Sequence, residues 1–395
     1  MTPPGPSSGG RSAELLVAAD RMLHADGRLS AGWLRVADGR IADTGSGVPP
    51  GTPDLTVPVL SPGFVDLHCH GGGSASYDAV TPEEVRTAID AHRREGTLTT
   101  LVSLVSAEID SLAEQVERLT ELYAVGDVAG IHLEGPWLSP GHCGAHDPTV
   151  LTVPTPEDID RLLAAGRVSD AGPSGGGAVR MVTLAPELPG GLDAVRRLAD
   201  AGVVVALGHT DADEHDIARA VDAGASVATH LFNAMRPIRH RAPGPVPALL
   251  ADERVVVELI ADGQHVHPDV LAMAARSSRG GFALVTDAMA AAGSGDGDYL
   301  LGGLPVEVRD GTARVASTGS IAGSTLTMPA AVRTMVRAGI PLADALVAAT
   351  AVPADVLRRR DVGRLETGRR ADLVALDDDL TVLAVLRAGA VALRD

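Results

Sequence analysis

Residues 98–134 read LTTLVSLVSAEIDSLAEQVERLTELYAVGDVAGIHLE. The two ends, 98–104 and 130–134, are apolar runs of strand length. Between them Ile109, Leu112, Val116, Leu119 and Leu122 recur at the spacing of an amphipathic helix. Strand, helix and strand in that order form a unit whose two strands lie parallel. The same texture continues in both directions. Further strand-like runs occur at 63–68, 179–184, 203–207, 226–230, 255–260 and 282–287, with helical spacing between most of them. Eight strands joined by helical crossovers predict a TIM-like (β/α)8 barrel. An open doubly wound α/β sheet is the alternative, but no glycine fingerprint follows the first strand.

The ends of the chain read differently. LLVAADRML, GWLRVADGRIAD and LTVPVL lie between residues 14 and 60, and DVGRLETGRRADLVALDDDLTVLAVLRAGAVAL closes the chain at 361–393. Both are short alternating strands broken by turns, too few at either end to enclose a core. They are expected to pair into one small β-sandwich domain, 11–58 with 351–395, beside a barrel over 59–350. A β-hairpin insertion is expected near 290–320, where Asp310–Gly311 separates two alternating segments. Residues 1–10, MTPPGPSSGG, read as a disordered leader, and GPSGGG at 172–177 as a surface loop.

Composition removes several chemistries. The 395 residues include 51 acidic and 33 basic ones, a formal net charge of −18, and every basic residue is arginine. A chain without lysine has no Schiff-base lysine, no phosphate-loop GK[ST] and no carbamylated-lysine metal bridge. An acidic balance without basic runs argues against a nucleic-acid surface. No apolar run reaches the roughly 18 residues that span a membrane. Two cysteines, Cys69 and Cys143, make no disulfide scaffold. The expectation is a cytoplasmic protein. Aromatic residues are only 2 %, so the core must come from Val, Leu, Ile and Ala.

Polar residues fall where such a barrel does its chemistry. His68 and His70, Glu134, His209, His230 and Asp287 all close apolar runs, and the C-terminal strand ends carry the active site of this fold. Residues two apart on an extended strand share a face, so His68 and His70 point the same way and Cys69 the other. Glu134 is costly to bury without a cation or several donors. Together with two imidazoles it leaves a coordination position open for water. The set suits a divalent metal, and Asp287 is either a further ligand or the group that moves a proton. His132 suits packing or support of a ligand. His24, His92, His215 and His240 are read as solvated. His142, Cys143 and His146 occupy a glycine-rich loop, an ordinary turn or a flap over the site. His265 follows the seventh strand. Arg236, Arg239 and Arg241 form a surface cluster or a grip for phosphate.

In combination, PGFVDLHCHGGG (62–73), HLEGPWLSPGHCGAHDP (132–148), LGHT (207–210), THLFNAMRPIRHRAPG (229–244), IADGQHVHP (260–268), VTDAM (285–289) and IAGSTLTMP (321–329) resemble the N-acetylglucosamine-6-phosphate deacetylases of the amidohydrolase superfamily. The resemblance implies Glu134, His209 and His230 as principal metal ligands and Asp287 as acid–base residue. It also implies substrate contacts from Ala145, His146, Asn233 and Ala234. Arg241 would hold the phosphate, His265 the acetyl carbonyl or sugar, and Ile321, Ala322 and Gly323 would line the pocket. Some members lack the paired histidines of the first strand and use one metal. His68 and His70 are kept here, so one or two ions are implied, zinc first and iron or cobalt after it. The family is typically dimeric. Its activity is hydrolysis of N-acetylglucosamine 6-phosphate to glucosamine 6-phosphate and acetate. The competing readings are nucleobase deamination, hydrolysis of an N-acyl amino acid, and a non-catalytic sugar-phosphate-binding barrel.

Overall fold

In the computed structural model, residues 14–168 and 176–392 are described. The leader 1–10 and most of the loop 172–177 lie outside them.

Eight parallel strands form one sheet in chain order: Phe64–Asp66, Thr97–Leu104, Gly130–Glu134, Val179–Leu184, Val204–Leu207, Val227–Ala228, Val256–Ile260 and Phe282–Val285. Every one coincides with a run expected from sequence. The intervening helices include Pro82–Arg94, Ile109–Ala124, Gly191–Asp200 and Glu214–Asp222. Their starts are written locally. Thr81 and Glu84 form a capping box on the first, Asp213 and Asp216 on the last, satisfying amide groups that an open helix end leaves free. Each helix turns its aliphatic stripe inward, as Leu112, Val116 and Leu119 do in the second. A core of Val, Leu, Ile and Ala fills the space between helices and barrel.

The barrel closes beyond the ends of its first and last strands. Cys69 bridges Ala288 in parallel, Asp287 N donates to His68 O at 2.8 Å, and His70 N donates to Ala288 O at 2.7 Å. Beneath this seam the fully buried Asp66 accepts from Thr286 Oγ1 at 2.6 Å, from Thr286 N at 3.2 Å and from His68 N at 3.2 Å. Closure therefore brings the His68 and Asp287 ends of the barrel side by side.

Both chain ends join one seven-stranded sheet, ordered Ala390–Ala392, Val382–Arg387, Leu373–Leu376, Leu55–Pro62, Leu15–Leu23, Leu29–Ala37, Arg40–Ser46. It has its own core of Val17, Met22, Leu34, Ile41, Leu60, Leu373 and Leu386. The insertion after the eighth strand is three-stranded rather than a single hairpin: Gly297–Leu301, Leu304–Arg309 and Thr312–Val315. The Asp310–Gly311 turn is as expected, with both residues at positive φ. Gly302–Gly303, also at positive φ, makes the second turn. One further reading is corrected. His92 is not solvated but buried, with Nε2 at 2.8 Å from Gly71 O and 3.3 Å from Cys69 Sγ, because its helix face looks onto the loop after the first strand.

Replacing Asp66 by alanine leaves the Thr286 hydroxyl and two amides without this acceptor inside a buried seam. The expected cost is about 3 kcal/mol, a fall in Tm of roughly 3–6 °C. Thermal unfolding of Asp66→Ala checks it; an unchanged Tm means the seam does not depend on this carboxylate.

Candidate metal centre

Six ligand-type side chains meet at the C-terminal mouth of the barrel. Glu134 Oε1 lies 3.0 Å from His209 Nε2 and 2.9 Å from His230 Nε2, and those two nitrogens are 3.1 Å apart. Glu134 Oε2 faces the other way, 3.2 Å from His70 Nε2 and 3.4 Å from His68 Nε2. His68 and His70 are 3.0 Å apart through their Nε2 atoms, and Asp287 Oδ1 stands 3.5 and 3.3 Å from them. Two buried groups result, Glu134–His209–His230 and His68–His70–Asp287, each with its ligand atoms in reach of a single ion.

The donor set fits a metal. Ligands about 2.0–2.2 Å from a tetrahedral ion are spaced about 3.3–3.6 Å from one another; the His68 group spans 3.0–3.5 Å and the Glu134 group, at 2.9–3.1 Å, is slightly tighter. Imidazole and carboxylate donors suit zinc, iron and cobalt alike. Glu134 touches both groups through different oxygens, which is the geometry of a bridging carboxylate.

Local backbone carries part of this arrangement. His209, His230 and Asp287 all have positive φ, at 47°, 26° and 48°. Such conformations cost of the order of 1 kcal/mol or more each for a side chain with Cβ, and they cluster where function over-determines them. Here each turns a side chain off the end of its strand and into the mouth. Gly135 follows Glu134 at φ +87°, and a Cβ there would sit 2.2 Å from Ser106 Oγ. That hydroxyl donates to Glu134 O at 3.2 Å and lies 2.9 Å from His146 Nδ1.

The electrostatics follow from burial against pairing. Burial resists ionisation of Glu134, yet the His68 and His146 imidazoles hold its carboxyl well below the usual range. Asp287 is likewise buried and held low by His68 and His70. Burial also opposes a charge on His68 and His70. The neighbouring carboxylates win, raising His68 well above the ordinary imidazole value and His70 to about 9. His146, 3.4 Å from Glu134 Oε2, goes the other way: burial pushes it down to about 4, so it stays neutral at pH 7. Cys69 is buried with its thiol pushed up to about 12, which keeps it inert.

A cavity of about 260 Å³ opens above the two groups. Of the residues singled out from sequence, His70, Glu134, Ala145, His146, His209, His230, Asn233, Ala234, His265, Asp287, Ile321 and Gly323 line it. His68 lies just below, and Ala322 is buried behind the wall in the core of the insertion. Arg241 is exposed and lies outside the lining. His265 Nδ1 is 2.7 Å from Asp262 Oδ2, which leaves Nε2 for the cavity. His132 packs edge-on against His68 and bonds Ser103 and Thr183. Sequence reasoning missed Val105, Gly144 and Leu301 in the lining, and Glu258 behind His68. Leu301 comes from the insertion and carries no chemical signature. Glu258, an acid inside the apolar run VVVELI, was a visible signal.

An ion entering the His68 group at neutral pH must displace a proton that the carboxylates hold there. Ion affinity is therefore expected to rise with pH until His70 is deprotonated near 9 and to flatten above it. The ion-free chain has the opposite dependence. A raised folded-state value means that His70 contributes stability fully below 6.5 and loses that contribution as pH rises through about 9. Zinc titrations at several pH values, with proton release followed by an indicator, check the first; melting of chelated protein checks the second.

The amidohydrolase family profile matches residues 59–392. N-acetylgalactosamine-6-phosphate deacetylase of Escherichia coli O157:H7 is 36 % identical over 383 residues, 95 % of this chain and 99 % of that protein. N-acetylglucosamine-6-phosphate deacetylase of Bacillus subtilis (strain 168) is 33 % identical, covering 91 % and 92 %. A solved structure of a mutant N-acetyl-D-glucosamine-6-phosphate deacetylase from Mycobacterium smegmatis, in complex with N-acetyl-D-glucosamine 6-phosphate, superposes with a TM-score of 0.91. It has 44 % identity and covers 97 % of this chain and 100 % of that one. Matched by the profile over most of its length and by relatives from end to end, the chain belongs to the amidohydrolase family.

Proposed function

We propose that this chain is a metal-dependent deacetylase that removes the acetyl group from N-acetylglucosamine 6-phosphate, giving glucosamine 6-phosphate and acetate. The observation that carries the reading is Glu134 between two ligand groups at the floor of a small cavity. The relatives supply the substrate: full-length similarity at 33–44 % identity to enzymes that deacetylate an amino-sugar 6-phosphate.

Glu134, His209 and His230 would hold one divalent ion, and His68, His70 and Asp287 a second, with zinc the first candidate and iron or cobalt after it. An ion held there supplies a water of lowered pKa and polarises the acetyl carbonyl. The other tasks fall to side chains. Asp287, ionised and facing the cavity, takes the proton of the attacking water. It then gives that proton to the sugar nitrogen as the amide C–N bond breaks. His265, oriented by Asp262, presents Nε2 to the carbonyl oxygen or the sugar. His146, neutral and braced by Ser106, contacts the sugar together with Ala145, Asn233 and Ala234. Ile321 and Gly323 line the cavity from the insertion, with Ala322 packed behind them.

The phosphate is assigned to Arg241, on the exposed loop that follows His230. Arg236 is committed to Asp211 at 2.8 Å and is the weaker choice. An exposed arginine outside the cavity lining would serve its own site or that of a second copy in a homodimer. Among the described residues no helix is long and apolar enough to cross a membrane, and a cytoplasmic location is part of the proposal.

Acetate release is the direct test, with N-acetylglucosamine 6-phosphate, its galactosamine epimer and unphosphorylated N-acetylglucosamine compared side by side. The epimer belongs in the assay because the relative from E. coli O157:H7 is named for it. Equal rates with and without the phosphate would defeat the sugar-phosphate assignment. Asp287→Asn is expected to cost several orders of magnitude in kcat while the ion of the Glu134 group remains bound, measured by metal analysis of the purified variant. For Arg241→Ala, KM for the phosphorylated sugar should rise by at least tenfold, or roughly 1.4 kcal/mol, with kcat little changed. Light scattering of the intact chain tests the dimer.

A further inference from the structure

Glu258 is the third residue of the seventh barrel strand, Val256–Ile260, and is fully buried on its inner face. It belongs to neither ligand group, and it does not line the cavity. Its Oε2 stands 3.3 Å from His68 Nδ1 and accepts from the backbone N of His230 at 3.2 Å. One carboxylate oxygen thus touches a ligand ring of one group and the main chain of a ligand in the other. The two rings concerned are stacked, with centroids 5.4 Å apart.

We propose that Glu258 is the positioning residue that makes His68 a metal ligand, and that it sets the ion affinity of the His68–His70–Asp287 group. The assignment rests on the two-ion reading of the centre. An imidazole that donates from Nδ1 carries its lone pair on Nε2. For His68 that nitrogen is the one turned toward His70, Glu134 and Asp287. The other tautomer would aim an N–H into the group and strand Nδ1 against an acceptor.

The other ligand rings lack such a partner. His209 Nδ1 meets only the carbonyl of His142, at 2.9 Å. Among the described residues, Nδ1 of His70 and Nδ1 of His230 have no hydrogen-bond partner. Among the described residues, His68 is the one ligand ring of these four whose Nδ1 meets a carboxylate. Glu258 Oε1 also has no partner among the described residues. A buried carboxylate with one oxygen unsatisfied is costly unless a cation stands close, and an ion in the His68 group is one imidazole away. The contact to His230 N braces a residue whose φ is 26°. That makes Glu258 a support of the Glu134 group's backbone, but of no ligand atom in it.

The test uses the intact chain, stripped of metal and equilibrated with buffered zinc, then with cobalt. Two variants are compared with the wild type. Glu258→Gln keeps shape and an oxygen that accepts from Nδ1; Glu258→Leu removes the acceptor. The expected result is two ions in the wild type, one in Glu258→Leu, and two in Glu258→Gln with the second bound roughly 10- to 100-fold more weakly. The first ion should keep its affinity in both. Cobalt spectra should lose the contribution of the second ion in Glu258→Leu and regain it in Glu258→Gln. Two ions bound with wild-type affinity in both variants, or loss of both ions together in either, would overturn the assignment. If Glu258→Leu does not fold, Glu258→Gln decides alone: unchanged second-ion affinity overturns the proposal. A wild type that takes only one ion overturns the two-ion reading itself, a result distinct from any variant's.

Discussion

Glu134 is the point on which the rest of the site turns. A carboxylate taken out of water at the floor of a barrel is stable only if positive charge meets it, and its two oxygens face two different sets of imidazoles. That single constraint accounts for the crowding of histidines around it and for the upward shift of His68, whereas His146 goes the other way because burial outweighs its contact with the same carboxylate. A chain without lysine has no carbamate to place between the two groups, and Glu134 is the carboxylate that stands there. The charge is not balanced by any arginine in the lining. It is balanced by groups that can exchange protons for ions.

The barrel serves this arrangement by closing at the right place. Asp66 and Thr286 fasten the first strand to the eighth, and His68, two residues beyond Asp66, and Asp287, one beyond Thr286, meet above them through Asp287 N and His68 O. Positive φ at His209, His230 and Asp287 repeats the device around the rim. The sheet supplies stability below, and the strained ends supply direction above. The three-stranded insertion covers one side with a small core of its own, which brings Leu301, Ile321 and Gly323 to the cavity. The cavity lining is therefore drawn from the strand ends, from the loops after them and from the insertion together.

Much of this was legible beforehand. The eight strand runs were apolar, short and punctuated by amphipathic helices, and each reappears in the barrel. Ligand-type residues at the ends of those runs were visible for the same reason: a His or Asp that closes an apolar strand stands out against its neighbours. The H-x-H spacing correctly placed both Nε2 atoms on one side. What was missed divides between visible signals left unread, Gly302–Gly303 and Glu258, and residues with no periodic or chemical signature. Gly302–Gly303 adds a second turn to the insertion, Val105 and Leu301 are ordinary aliphatic residues, and His92 is buried when the loop that precedes its helix folds back on it.

The sequence by itself determined the barrel, the joining of the two chain ends in one sheet, and the roster of residues able to bind a divalent ion, because periodicity and residue chemistry are local properties. Tertiary structure alone decided how that roster divides. Which pair of ligand imidazoles faces which oxygen of Glu134, that Glu258 stands behind His68, and that Arg241 lies outside the cavity are all distances between residues far apart in the chain. Barrel closure sets those distances, and no local pattern encodes them.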